Sequence, residues 1–354
     1  MGARHRELKY GEMNYRWLYM MCLLTTLFAC GKEEQPAAVS SGDVLSIYVA
    51  TRSGEPPLPE GNYGLYSVEH ASGVPFSWVG VSSFYNNNLQ AALNSGRLKF
   101  SGTHYYPIND WLSVFLYWPH QAGATPDNIP ISRSVTEDSN GQPADKYPDY
   151  LGGSSNISLI GGTPEGHVEP SVALNHLMSR VRFQTKNPGS DDITLLSVKL
   201  TGITWSGVIN PQITDVNDGY YAPSGGVEDI TLIENFVVPG HSGSGSAQPR
   251  PIMIYPEYNY SDDEAALEAI DYKYYLLVPP LGESQLAHVQ LEMEFIRYGD
   301  IYYIPVDMKS IKIDKWEPGN SYCYTISFNT YMIDQVDVDI LPWKEELYTG
   351  KVPL

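Results

Sequence analysis

The sequence predicts an all-β protein built as two antiparallel sandwiches, and three observations carry that reading. Tyrosine occurs 27 times and aromatic residues make up 12% of the chain, which suits pleated, half-buried surfaces. Glycine (31) and proline (26) are frequent enough to punctuate many turns. About fifteen short strand-like runs follow one another with only scraps of helical pattern between them. No repeat of fixed period points to a propeller or a solenoid.

The N-terminus is of a different kind. Basic Arg4, Arg6, Lys9 and Arg16 precede an apolar run from Trp17 to Ala29, and Cys30 follows small Ala29. Positive, then apolar, then small is the layout of a secretory signal peptide over residues 1–29. The run is shorter than the roughly 20 apolar residues that cross a bilayer. Leu27-Phe28-Ala29-Cys30 resembles the lipobox of bacterial lipoproteins, with Phe28 where a small or β-branched residue is usual. That resemblance implies a covalent lipid on Cys30. A plain cleaved signal is the alternative. Lys32-Glu33-Glu34 resembles the acidic export tag of surface lipoproteins in Bacteroidetes, or is a solvated linker. Residues 30–43, polar and small, read as a tether.

The first strand is Val44 to Ala50, with Leu45, Ile47 and Val49 facing inward. It runs directly into Thr51-Arg52-Ser53-Gly54 and a proline-rich stretch, and Arg52 is the one basic residue between Lys32 and Arg97. Strands are expected at Tyr63 to Val68, Pro75 to Val81 and Arg97 to Phe100, with a helical turn at Leu89 to Leu93. Trp111 to Trp118, ended by Pro119, reads as a strand buried on both faces. Residues 121–171 read as loop with one brief strand at Ile157 to Ile160. The first sandwich is thus expected over 44–170 and the second over 171–354.

In the second block, strands are expected around Val181 and Phe183, at Ile193 to Ile203 and at Ile230 to Val238. Asp218-Gly219 marks a hairpin within Val216 to Tyr221. Ile252 to Tyr255 follows as a strand, and Ser261 to Glu264 fits a capping box on a short helix. Lys273 to Val278, Ala287 to Arg297, Ile301 to Val306, Lys309 to Ile313, Tyr322 to Phe328 and Val336 to Ile340 complete the strands.

Charge and motifs exclude several function classes. The formal charge is −19, and residues 1–29 hold four basic and two acidic residues, so the remainder is more acidic still. Such a surface repels phosphate backbones and anionic lipid headgroups, which argues against nucleic acid as a partner. With Cys22 in the signal and Cys30 lipidated, only Cys323 remains, so no internal disulfide is expected. No catalytic residue is assigned and no enzyme is expected. Gly240-His241-Ser242-Gly243-Ser244 lacks the last glycine of a nucleophile elbow. Asp215, Asn217 and Asp218 lack calcium-loop spacing, no histidine pair has metal spacing, and no metal or cofactor is expected beyond the lipid. His176 reads as structural. The tyrosines fit sheet edges, or sugars stacked upon them.

Four segments in order resemble the fimbrillin or Mfa-like proteins of Bacteroidales: the lipobox and tether, Tyr105-Tyr106-Pro107 with Leu112 to Pro119, Leu174 to Phe183, and Trp316 to Ile326 with Ile340-Leu341-Pro342-Trp343. The resemblance implies two tandem transthyretin-like, Greek-key β-sandwiches and a subunit of a cell-surface fimbria. It also implies a precursor lipidated at the outer membrane and cut after an arginine, with the first strand lost and its groove filled by a strand of a neighbouring subunit. On that pattern Arg52 is the cut site, Leu45, Ile47 and Val49 plug the groove, and Val336, Val338 and Ile340 form a candidate donor strand. Arg52 as an ordinary loop residue and Val336 to Ile340 as the last core strand are the alternatives. After Trp343 only residues 344–354 remain, which fits an anchor or tip subunit better than a stalk. Partners implied are other fimbrial subunits and the membrane through the lipid. The alternative function is a monomeric surface lipoprotein that binds a glycan or a host protein.

Overall fold

The computed structural model describes residues 44–50, 58–59, 61–71, 74, 76–107, 111–132, 134–137, 143–146, 150–158, 171–241, 250–251, 275–311, 313–328 and 333–342. The chain is all-β, with its sheets layered as sandwiches. Its first part supplies β1 (Tyr48–Ala50), β2 (Asn62–His70), β3 (Asn86–Asn94), β4 (Arg97–Phe100) and β5 (Trp111–Trp118). Short strands β6 (Ile129–Ile131), β7 (Ser134–Glu137) and β8 (Pro143–Lys146) precede β9 (Leu151–Ser158), β10 (Ser171–Ala173) and β11 (Asn175–His176). Then come β12 (Ser179–Lys186), β13 (Ile193–Thr204), β14 (Gly207–Ile209), β15 (Tyr221–Pro223), β16 (Val227–Val238) and β17 (Arg250–Pro251). Last are β18 (Tyr275–Val278), the one-turn helix α1 (Glu283–Leu286), β19 (Gln290–Arg297), β20 (Asp300–Asp307), β21 (Asn320–Phe328) and β22 (Ile333–Pro342).

The first sheet has eight strands in the order β10-β1-β4-β3-β2-β5-β9-β11. Residues 171–176 therefore lie in this sheet. The sheet curls on itself. β10, bonded to β1 near one end, returns over β9 so closely that a Cβ on Gly153 would overlap the Ala173 carbonyl oxygen. Inside the curl lies a core that includes Tyr63, Leu65, Leu112, Val114, Leu116 and Val172, all buried. Phe115 and Tyr117 alternate with those β5 residues and enter a second core on the outer face. Two buried faces explain why Trp111 to Trp118 is apolar almost throughout.

That second core is shared with two further sheets, β16-β13-β19-β20 and β17-β12-β21-β22, the latter with β18 also on β12. Antiparallel pairing dominates, but β12 runs parallel to β21 and β1 parallel to β10. Parallel neighbours cannot be joined by a hairpin and need a long crossover. Between β12 and β21 the crossover runs through the sheet β16-β13-β19-β20, whose inward residues Leu195, Val198, Leu291 and Phe295 share the core with Val181 and Tyr324. A three-stranded sheet, β15-β14-β6, joins residues of the two halves.

Five local expectations are corrected. Where Pro75 to Val81 is expected as a strand, the described residues 76–81 form none: the segment turns at Gly80 (φ 73°), leaves Val79 exposed, and is fixed by rings, with Phe76 on His70 and Trp78 on Phe115. Leu89 to Leu93 is part of β3, not a helical turn. Here Leu65 pairs with Leu89 but Ser67 with Asn86, so β3 carries one extra residue, a bulge. Asn88 adopts the left-handed conformation there (φ 47°), which asparagine tolerates better than most residues. The expected loop 121–171 holds β6 to β9, and β9 pairs with β5 along its whole length. Asp218-Gly219 does not form a tight hairpin. Asp215 caps a 3-10 turn, Val216–Asp218, and Gly219 ends it with φ 92°. Lys309 to Ile313 likewise gives a 3-10 turn, Met308–Ser310, in place of a strand.

Candidate functional site

Segment 44–50 is the part of the chain whose placement bears most on function. Leu45, Ile47 and Val49 are 4%, 0% and 2% exposed and sit in the core inside the first sheet, while Val44 on the other face is 58% exposed. Burying each such side chain stabilises by about 1.5–3 kcal/mol. The segment is not at an edge of its sheet. It lies between β4 and β10, so its loss would open a slot with a ladder on either side.

The main-chain bonds alternate as a strand requires. Toward β4 and the loops on either side of it, the Leu45 amide donates to His104 O (2.7 Å), the Leu98 amide donates to Ile47 O (3.0 Å) and the Val49 amide donates to Gly96 O (2.8 Å). Toward β10, Tyr48, Val49 and Ala50 pair with Ser171, Val172 and Ala173. Val44 bridges Tyr105. Gly96, in the two-residue turn between β3 and β4, has φ 78°, and a Cβ there would come 2.8 Å from the Tyr48 ring. The turn thus needs glycine twice over, for its conformation and for the plug's tyrosine.

Tyr106 is a residue that sequence reasoning did not single out for a role. It is 1% exposed, and its hydroxyl accepts from the Ser46 amide (3.3 Å) and donates to the Ser46 carbonyl. Its partner lies 60 positions away in the chain, so the Tyr-Tyr-Pro motif was the only local signal.

The candidate donor residues lie in β22, which pairs antiparallel with β21 from Asn320↔Pro342 to Phe328↔Ile333. Val336 and Val338 are half-buried against the shared core, and Ile340 is 49% exposed. β22 has one neighbour among the described residues, so its outer edge is open there. Cys30 and Arg52 lie outside the described residues, as do the segments 252–255 and 261–270. His176 is half-buried in β11, opposite Leu151. Cys323 is buried in β21. Among the described residues no group of three or more His, Cys, Asp or Glu could hold a metal ion, and no helix is long and apolar enough to cross a membrane.

The family model described as fimbrillin-like matches residues 62–343, well over half of the chain. The chain belongs to the fimbrillin-like family. The matched span of this fimbrillin-like protein begins just after segment 44–50 and Arg52. Similar solved structures include a candidate cell adhesion protein from Bacteroides uniformis, 14% identical, covering 85% of this chain and 99% of that one, with a TM-score of 0.48. A fimbrial assembly protein from Parabacteroides distasonis is 11% identical over 84% of this chain and 99% of that one, with a TM-score of 0.38. The tip fimbrial protein Mfa3 from Porphyromonas gingivalis, truncated at its C-terminus, is 9% identical over 84% and 99%, with a TM-score of 0.32. No curated protein matches the chain. Membership in the fimbrillin-like family supports a structural, non-enzymatic role as a pilus subunit at the cell surface.

Proposed function

We propose that this fimbrillin-like chain is made as a precursor tethered by a lipid on Cys30 and assembled into a fimbria by β-strand exchange in the slot held by residues 44–50. The observation that carries the reading is the burial of Leu45, Ile47 and Val49 in the core inside the first sheet, by a segment that ends two residues before Arg52. Cutting after Arg52 makes the plug a separate chain. Its three apolar side chains and its ladder are then available to an equivalent strand from a neighbour, which gains bonds on both sides of the slot. Val336, Val338 and Ile340 have the required alternation, but serve as donors only by leaving the β21 ladder. A neighbouring subunit's strand is therefore the incoming partner, and this chain is foremost the acceptor.

N-terminal sequencing and mass measurement of the protein from native cell surfaces test this. The expected result is a start at Ser53, with ladders that resist detergent and vanish in Arg52→Ala. A blocked, lipid-bearing Cys30 on a single band that Arg52→Ala leaves unchanged would overturn it. The protein would then be a monomeric surface lipoprotein that binds a glycan or a host protein.

A further inference from the structure

We infer that Tyr106 reads the main chain of whatever strand fills the slot, so that the slot requires an N–H at the residue in the Ser46 position. The inference rests on the strand-exchange reading above and adds to it a recognition rule.

Successive residues of a strand point their N–H and C=O groups to opposite sides. Leu45, Ile47 and Val49 direct theirs to β4 and the loops on either side of it. The groups of Ser46 and Tyr48 therefore face the other way. On that side β10 begins its ladder at Tyr48↔Ser171. Two residues earlier, Ser46 meets the Tyr106 hydroxyl, which accepts its N–H and donates to its C=O. One hydroxyl can do both, having one proton to give and lone pairs to receive. It occupies the place a neighbouring strand would take.

Both bonds run to main-chain atoms of Ser46, its amide and its carbonyl. The Tyr106 side chain is 1% exposed and shares its core with Tyr63, Leu65 and Leu112 as well as with the plug residues. A strand entering in the direction of residues 44–50 is thus recognised by three alternating apolar side chains and one backbone contact between the first and second of them. Proline at that position, which lacks the N–H, is excluded. In the segment Val336-Asp337-Val338-Asp339-Ile340 the corresponding residue is Asp337, which has one.

The test uses the full chain, nicked after Arg52 by an arginine-specific protease, and two synthetic peptides of residues 43–52 in direct competition. One peptide is the natural sequence. The other has an ester in place of the Leu45–Ser46 amide, which removes the Ser46 N–H. The wild-type chain is expected to take up the natural peptide about tenfold more strongly, the scale of one buried hydrogen bond. Tyr106→Phe is expected to take up both equally, and any general weakening of the slot cancels in the ratio. The inference is overturned if the wild type does not discriminate against the ester or if the preference survives in Tyr106→Phe. Should Tyr106→Phe not fold, the ester comparison on wild type decides alone. If neither peptide displaces the nicked plug from wild type, strand exchange itself fails, an outcome distinct from a slot that binds both peptides alike.

Discussion

Ala173 carries its carbonyl oxygen into the space that a side chain on Gly153 would occupy. β10 can therefore close over β9, and so complete the slot beside β1, only because residue 153 has no Cβ. Gly153→Ala forces β10 away from β9 or strains both, an overpacking effect of about 1–3 kcal/mol. Gly123 is exposed, and a Cβ there would meet nothing within 4 Å, so Gly123→Ala should stay within about 0.5 kcal/mol of wild type. Denaturant midpoints of the two variants check the difference.

The plug's contribution is separable by face. Ile47 has no exposed surface, and Ile47→Ala leaves a cavity in the inner core worth about 2–5 kcal/mol. Val44, one face over and 58% exposed, should tolerate alanine within about 0.5 kcal/mol. After nicking at Arg52, the Ile47→Ala plug should also be displaced faster by a competing peptide, and the Val44→Ala plug at the wild-type rate. Equal loss in both variants would remove Ile47 from the plug.

Elements with unbroken alternation or unbroken apolarity were legible in the sequence. Trp111–Trp118 was bounded to the residue, and the alternation of Val336 to Ile340 lies within β22. What was not legible has nonlocal causes. β3 was hidden because Asn88 spells a turn locally, whereas here its left-handed backbone makes a bulge and its side chain bonds Tyr117 Oη (2.6 Å) and Gln121 O (2.8 Å). β9 was hidden because Gly152 and Gly153 spell a loop, whereas they make room for Leu177 and β10. The segment 76–78 mimics a strand because its aromatic residues reach a sheet from a loop. Of the slot, the inward side chains could be read from period two, but its position between β4 and β10 and the part played by Tyr106 depend on partners far along the chain.

In the second core, Trp316 Nε1 donates to Tyr324 Oη at 2.7 Å, and neither side chain is exposed. Tyr324→Phe keeps the stack on Phe183 but leaves a buried indole N–H without its acceptor, a loss of about 1–3 kcal/mol. The cost should appear as a lower denaturant midpoint with an unchanged slope, because the surface exposed on unfolding hardly changes. A variant as stable as wild type would mean the indole finds another acceptor.

The buried tyrosines make the fold sensitive to alkali. Burial pushes the phenols of Tyr63, Tyr220, Tyr221 and Tyr324 up, and Tyr66 to about 12, with the neighbouring Tyr117 adding to the last shift. In the unfolded chain a phenol ionises near about 10. Above that pH the unfolded chain releases protons that the folded chain keeps, so the slope of stability with pH is negative. The stabilisation is whole below about pH 10 and drains as pH rises toward and through the folded values, by about 1.4 kcal/mol per pH unit for each such tyrosine. Chemical denaturation from about pH 8 to pH 12 should show this group contributing no slope at first and a steep fall beyond about pH 10. Tyr66→Phe, which also loses the bond from its hydroxyl to Ala124 O, should start less stable yet fall less steeply, by about one proton. A fall as steep as that of wild type would show that Tyr66 ionises alike in both states.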